Sequence, residues 1–128
     1  MRIYLAARFD RSPEMLDVAA GLAQAGHFVT SRWIHGRQGA PDLVSAIEDI
    51  EDLADADCLV SFTEHPTQGV PWAARGGRHV EFGVGLATGK RLCVVGPREN
   101  IFHHLPRVEV HRSVAELIET LAHEPRRS

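Results

Sequence analysis

The chain has 128 residues, 44% apolar and 24% charged, with a formal net charge of -3. That length accommodates one compact domain burying roughly two-thirds of its unfolded surface, and the composition is far from that of a disordered chain. A mildly acidic balance excludes a surface built to coat a nucleic-acid polymer, while leaving room for a local arginine cluster that meets a small anion. Cys58 and Cys93 each sit in a short apolar run, where cysteine behaves as a small buried hydrophobe, so no disulfide is expected. The N-terminal apolar stretch is too short for a signal peptide, and no run approaches the roughly 18 apolar residues of a membrane span. A cytoplasmic protein without membrane contact is expected, with one domain over residues 1–122 and a frayed tail at 123–128.

The first predicted element is a strand over residues 2–6, followed by the polar loop Arg8-Phe9-Asp10-Arg11 and a helix N-capped by Ser12, with Pro13 in its first turn. The helix runs to about Ala25 and stops at Gly26, and a second strand is predicted over 27–32 with Trp33 at its end. After a Gly/Pro/Gln loop, residues 42–54 read as an acidic amphipathic helix. Its apolar stripe of Leu43, Ala46, Ile47, Ile50 and Leu53-Ala54 is expected to face the core. Most carboxylates of this helix read as a solvated face, with Asp49 and Asp52 the candidate exceptions because one side of the helix borders the crevice between strands.

A third strand is predicted over 57–62. Residues 63–77, rich in Pro, Gly, Thr and Ala, then form a long functional loop before a helix over 78–88. Residues 91–95 make a fourth strand, 108–111 a fifth, and Ser113 caps a last helix. Strands and helices alternating at this spacing specify a doubly wound, flavodoxin-like α/β fold: a five-stranded parallel sheet covered by helices on both faces. In such a fold the ligand crevice opens at the carboxyl ends of the strands.

The informative stretch runs from Gly76-Gly77-Arg78 through Glu81-Phe82-Gly83 to Gly85 and Ala87-Thr88-Gly89-Lys90. Glycine inside a helix costs about 1 kcal/mol relative to alanine, so Gly83 and Gly85 need a reason such as close packing or room for a ligand. Glu81 is expected in the first helical turn, where free N–H groups and the macrodipole favour an ionised carboxylate. The competing reading of Glu81 is a carboxylate that only balances helix charge.

With the opening Ile3-Tyr4-Leu5-Ala6 and the Asp49…Ala56-Asp57 stretch, these residues resemble the nucleoside 2-deoxyribosyltransferase family and its nucleotide-hydrolase relatives over most of the chain. The resemblance implies that Glu81 is the nucleophile at the anomeric carbon, that Tyr4 orients its carboxylate, and that Asp49 contacts or protonates the base. It implies no cofactor, and a homodimer or larger assembly with shared sites. The chain departs from the nucleoside-specific members, which carry an acidic residue shortly before the catalytic Glu; here the stretch is Ala73-Ala74-Arg75-Gly76-Gly77-Arg78.

That positive, glycine-rich approach suits a phosphate. Arg8, Arg11 and Arg78, with Gly76, Gly77 and the backbone N–H groups at the helix start, form a candidate cradle for a 5′-monophosphate. Nucleoside and nucleotide both stay open as the small-molecule substrate, as do base exchange and hydrolysis. Trp33 and Trp72 are candidates for stacking on a base, and Phe9 and Asn100 are candidate substrate contacts. The segment Asn100-Ile101-Phe102-His103-His104 is a candidate subunit contact or shared site. Eight histidines without an H-E-x-x-H or C-x-x-C spacing give no metal site. Dinucleotide and nucleoside-triphosphate readings fall with the absence of a G-x-G-x-x-G or Walker loop after the first strand. From a different functional class, a catalytically silent nucleotide sensor on the same fold would keep the cradle and not need Glu81.

Overall fold

The computed structural model describes residues 1–65 and 76–122. The elements in chain order are β1 (Arg2–Ala6), α1 (Ser12–Gln24), β2 (Phe28–Val29), α2 (Asp42–Ala54), β3 (Cys58–Phe62), α3 (Gly77–Ala87), β4 (Arg91–Val95), β5 (Val108–His111) and α4 (Val114–Ala122). Single 3-10 turns occupy Phe9–Arg11, Arg32–His35 and Ile101–His104. The strands form one parallel sheet in the order β2-β1-β3-β4-β5. This is the doubly wound α/β architecture expected from the alternation of elements. Trp72 and the tail 123–128 lie outside the described residues. No described helix is long and apolar enough to cross a membrane.

The core follows from alternation along the central strands. Tyr4 pairs with Leu59, and Leu59 with Leu92, so the three form a row on one sheet face. A Cβ placed on Gly85 of α3 would stand 3.1 Å from Leu92 Cδ2 and 3.5 Å from Leu59 Cβ, so α3 lies directly on that row. Close packing is therefore the reason for Gly85. A Cβ on Gly83 meets nothing within 4 Å, and packing gives no account of it. On the other face Met15, Val18 and Leu22 of α1 are buried, and Gly21 approaches Ile118 of α4. After β4 the chain turns at Gly96, whose φ of +116° and approach to Thr63 leave no room for a side chain.

Several elements differ from the sequence expectation. Ser12 is the first helical residue rather than the N-cap: the 3-10 turn over Phe9–Arg11 continues into α1, and Arg11 takes the cap position. The second strand pairs only over Phe28–Val29. Thr30 N–H still donates to the Ile3 carbonyl at 2.8 Å, and from there side chains join in, with Leu5 N–H donating to Ser31 Oγ (3.1 Å) and Thr30 Oγ1 to the Asp52 carbonyl (2.8 Å).

The largest difference is α2, which has the expected bounds but the opposite orientation. Of its predicted apolar stripe only Leu53 is buried, while Leu43, Ile47 and Ile50 are 72%, 51% and 51% exposed. The inward face carries Ser45, Asp49, Asp52 and Leu53 at helical spacing. Its two carboxylates have partners there: Asp52 accepts from the Arg32 backbone N–H at 2.9 Å and from Arg32 Nε at 2.8 Å, and Asp49 Oδ2 from Arg37 Nη2 at 2.6 Å. Hydrogen-bonded anchoring of Asp52 and Asp49 overrides the hydrophobic pattern. The Ser113 cap on α4 is observed, Glu116 N–H donating to its Oγ at 3.1 Å.

The two helical glycines should part in denaturant unfolding. Gly83→Ala is expected to gain about 0.5–1 kcal/mol from helix propensity. Gly85→Val, which drives branched carbons into Leu59 and Leu92, is expected to lose about 1–3 kcal/mol.

Candidate active site

Gly85 on the Tyr4–Leu59–Leu92 row fixes which face of α3 looks inward, and Glu81, one turn earlier, shares that face. Tyr4 and Glu81 thereby meet beneath a cavity of about 420 Å³. The cavity is walled by the loop after β1 (Ala7, Arg8, Phe9, Asp10), by Trp33 and Arg37, by Asp49 on α2, and by Gly77, Arg78 and Glu81 on α3. A wider, shallow depression of about 540 Å³ lies over Arg32, Glu51, Asp52, Ala54 and Asp55, where Arg32 already engages Glu51 and Asp52.

Glu81 is the fifth residue of α3, in its second turn rather than its first, so the terminal N–H groups do not reach it. The expectation of a carboxylate kept ionised by the helix start is corrected accordingly. Burial pushes Glu81 up from an ordinary value near 4.5 to about 7; the Tyr4 phenol and Arg37 oppose the rise, and Asp49 adds to it. Burial and the neighbouring carboxylates of Glu81 and Asp49 also push Tyr4 upward, so the phenol keeps its proton. Asp49 accepts a 2.6 Å hydrogen bond from Arg37 Nη2 through Oδ2. Its other oxygen, Glu81 Oε2 and the Tyr4 hydroxyl are buried with no hydrogen-bond partner. Buried polar atoms are nearly always satisfied; of these three, Asp49 and Glu81 belong to the cavity lining and Tyr4 lies beneath it.

Trp33 is buried and donates from Nε1 to the Leu5 carbonyl at 2.7 Å, which holds its ring at the cavity wall. Phe9 packs against it with ring centroids 6.2 Å apart, and Arg37 lies 5.8 Å from the Phe9 centroid. The three arginines proposed as an anion cradle all have carboxylate partners. Arg8 pairs with Asp10 and Glu64, Arg11 with Glu14 and Glu64, and buried Arg78 with Glu99 at 2.7 Å. Arg8 and Arg78 line the cavity and Arg11 does not.

Gly76 precedes α3, its carbonyl accepting from His79 N–H at 2.9 Å. Asn100 also stands away from the lining. Its Oδ1 accepts from Phe102 N–H at 3.0 Å, and its amide nitrogen is 3.4 Å from His79 Nδ1. The sequence thus located Tyr4, Arg8, Phe9, Trp33, Asp49, Gly77, Arg78 and Glu81 in one place. It did not single out Arg37, a lone arginine in a loop whose only signal is the flanking Gly36 and Gly39 with positive φ. Nor did it single out Glu64 and Glu99, whose partners are distant in sequence.

Among the described residues, one group has metal-ligand chemistry: Cys93, Glu109 and His111, with ligand atoms within 4.8 Å of one another. Cys93 alternates with Leu92 and so points to the sheet face away from Glu81. Arg91 donates to both Glu109 oxygens at 2.6 and 2.7 Å, placing a fixed cation where a metal would need an open carboxylate. Both cysteines are free.

No protein-family model and no curated protein matches the chain. Among solved structures, the chain is similar to a CMP N-glycosidase of Clostridium botulinum, BcmB. The TM-score is 0.64 at 18% identity, over 94% of this chain and 97% of the other. At that identity the likeness establishes a shared fold.

Burial of Glu81 has a signed consequence for stability. Between about pH 4.5 and 7 the folded chain holds a proton that the unfolded chain has released, so stability falls as pH rises through that window. The full cost, on the order of 3 kcal/mol, is present above pH 7. Glu81→Gln carries no charge to bury. It should melt at a higher temperature than the wild type at about pH 8, with the difference fading toward about pH 4.5; equal melting at the higher pH would refute the burial.

Proposed function

We propose that the chain is an enzyme that cleaves the N-glycosidic bond of a nucleoside or, as the cavity arginines favour, a nucleoside 5′-monophosphate. The observation that carries this reading is the meeting of Glu81 and Asp49 in the wall of one cavity with Tyr4 beneath them, each with a bare buried oxygen. The shared fold with a CMP N-glycosidase and the resemblance to the deoxyribosyltransferase family support it.

In the proposed reaction the ionised Glu81 attacks the anomeric carbon as the carbon–nitrogen bond breaks, and the departing base takes a proton. Asp49 is the group assigned to contact the base or deliver that proton, and Arg37 holds it through Oδ2. The Tyr4 phenol, close enough to lower the Glu81 pKa, is assigned the role of orienting that carboxylate as the site fills. Water then attacks the same carbon, yields a proton to the group that protonated the base, and releases Glu81 with the free sugar; a second base in place of water would give exchange. Trp33 and Phe9 supply the apolar wall for a base. A group that titrates near neutrality can be ionised at working pH without being strongly solvated, which suits a buried nucleophile.

The assembly is proposed to be a homodimer or larger. The outward stripe of Leu43, Ile47 and Ile50 on α2 and Val80 (67% exposed) on the adjoining α3 is apolar surface on the same two helices that carry Asp49 and Glu81. A second copy laid over it would remove that surface from water and shield the cavity.

The decisive assay incubates the protein with cytidine, CMP and other nucleosides and 5′-monophosphates, with and without an added base, and separates products by chromatography. Free base should appear, and Glu81→Ala should lower the rate by roughly a thousandfold or more. Activity surviving in that variant refutes the mechanism, and product containing the added base establishes exchange. The value of kcat/KM should rise with pH through about 7 as Glu81 ionises; a fall across that range would make it the acid instead. Light scattering should give at least twice the chain mass, dropping to one chain mass in Ile47→Asp.

A further inference from the structure

Arg8 and Arg11 leave the loop after β1 on neighbouring turns, and a single carboxylate two residues beyond β3 bridges them. Arg8 Nη1 donates to Glu64 Oε1 at 3.2 Å and Arg11 Nη1 to Glu64 Oε2 at 2.9 Å, so each oxygen receives one guanidinium. Guanidinium groups grip carboxylate and phosphate in the same way, through N–H donors directed at paired oxygens. Glu64 therefore occupies the position that an anionic ligand of Arg8 and Arg11 would take.

The surrounding charge decides whether such an anion can be added or must be exchanged. Arg8 also meets Asp10 at 2.9 Å, and Arg11 meets Glu14 at 2.8 Å. Among the described residues the cluster holds two guanidinium groups and three carboxylates. A phosphate monoester, with a charge of about -1.5 to -2 at neutral pH, would enter a net negative site unless a carboxylate withdrew. Asp10 and Glu14 each meet one arginine from the same segment of chain. Glu64 alone spans both, and its side chain is only 18% exposed. The backbone just before it is anchored independently, Thr63 N–H donating to the Val95 carbonyl at 3.1 Å. The Glu64 side chain can thus turn away without releasing the strand end.

We propose that Glu64 is an internal counter-anion that a substrate's phosphate displaces from Arg8 and Arg11, which makes it the residue that sets discrimination between nucleotide and nucleoside. This deepens the N-glycosidic reading above and rests on it for the identity of the substrate. Of the pair Arg8 lines the cavity, and a site that holds its own carboxylate on Arg8 and Arg11 admits only anions that bind the pair better than the carboxylate does, a form of selection by competition rather than by fit alone. It also keeps two cations compensated while the site is empty.

The test is Glu64→Gln, which keeps the side-chain shape and removes its charge, with Glu64→Ala as a second variant. The ratio of kcat/KM for CMP to that for cytidine should shift toward CMP by about tenfold, the magnitude of one lost charge competition. Calorimetric titration with CMP and with inorganic phosphate should show binding tightened by a similar factor, and adding Arg8→Gln should abolish the gain. An unchanged ratio, or a shift toward cytidine, would make Glu64 a positioning carboxylate for the arginines and overturn the proposal. Should neither compound be turned over, the glycosidase reading fails separately and calorimetry still decides. Tighter binding in both variants upholds the exchange, while weaker, equal or absent binding overturns it.

Discussion

The approach of α3 to the sheet at Gly85 governs the rest of the site. Gly85 lets the helix axis settle onto Leu59 and Leu92 with no shift of the Leu92 methyl, and that depth carries Glu81, one turn away, down to Tyr4. Had the helix ridden higher on a side chain, Glu81 would sit nearer water and titrate as an ordinary carboxylate. Instead it is held where desolvation dominates and where a phenol and an arginine restore part of what burial removes. Packing and the raised pKa of Glu81 are one constraint seen from two positions of the same helix.

The second helix over the cavity obeys a different logic. In α2 the hydrogen bonds of Asp52 to Arg32 and of Asp49 to Arg37 turn the carboxylate face inward and leave the apolar stripe outside. A helix that satisfied its hydrophobic pattern against its own sheet would have no carboxylate to offer the cavity. The apolar surface left outside is the cost of placing Asp49 beside Glu81.

How much of this was legible follows from what each signal encodes. The strands at Arg2–Ala6, Arg91–Val95 and Val108–His111 and the helix at Asp42–Ala54 match their expected bounds, because apolar runs ended by glycine, proline or caps are local information. The resemblance names Tyr4, Asp49 and Glu81 together, and the structure brings the three side chains near one another. The orientation of α2 was not, since periodicity tells that a face is apolar and not which body it faces. Arg37 and Glu64 were invisible for a related reason: their roles arise from partners 12 and more than 50 residues away. The 3-10 turn before α1 displaced the expected Ser12 cap by a tertiary effect too, since Arg11 reaches Thr63 and Glu64 from that position.

The short pairing of β2 bears on how such chains can associate. Only Phe28 and Val29 join the ladder at that edge, and the following residues spend their side chains on Leu5, Ile3 and Asp52. A free strand offers another chain a row of backbone donors and acceptors, and two residues make a poor template for it. Growth of the sheet from one molecule into the next is thereby discouraged at the β2 margin, so a copy approaching from that side finds helix surface the better place to dock.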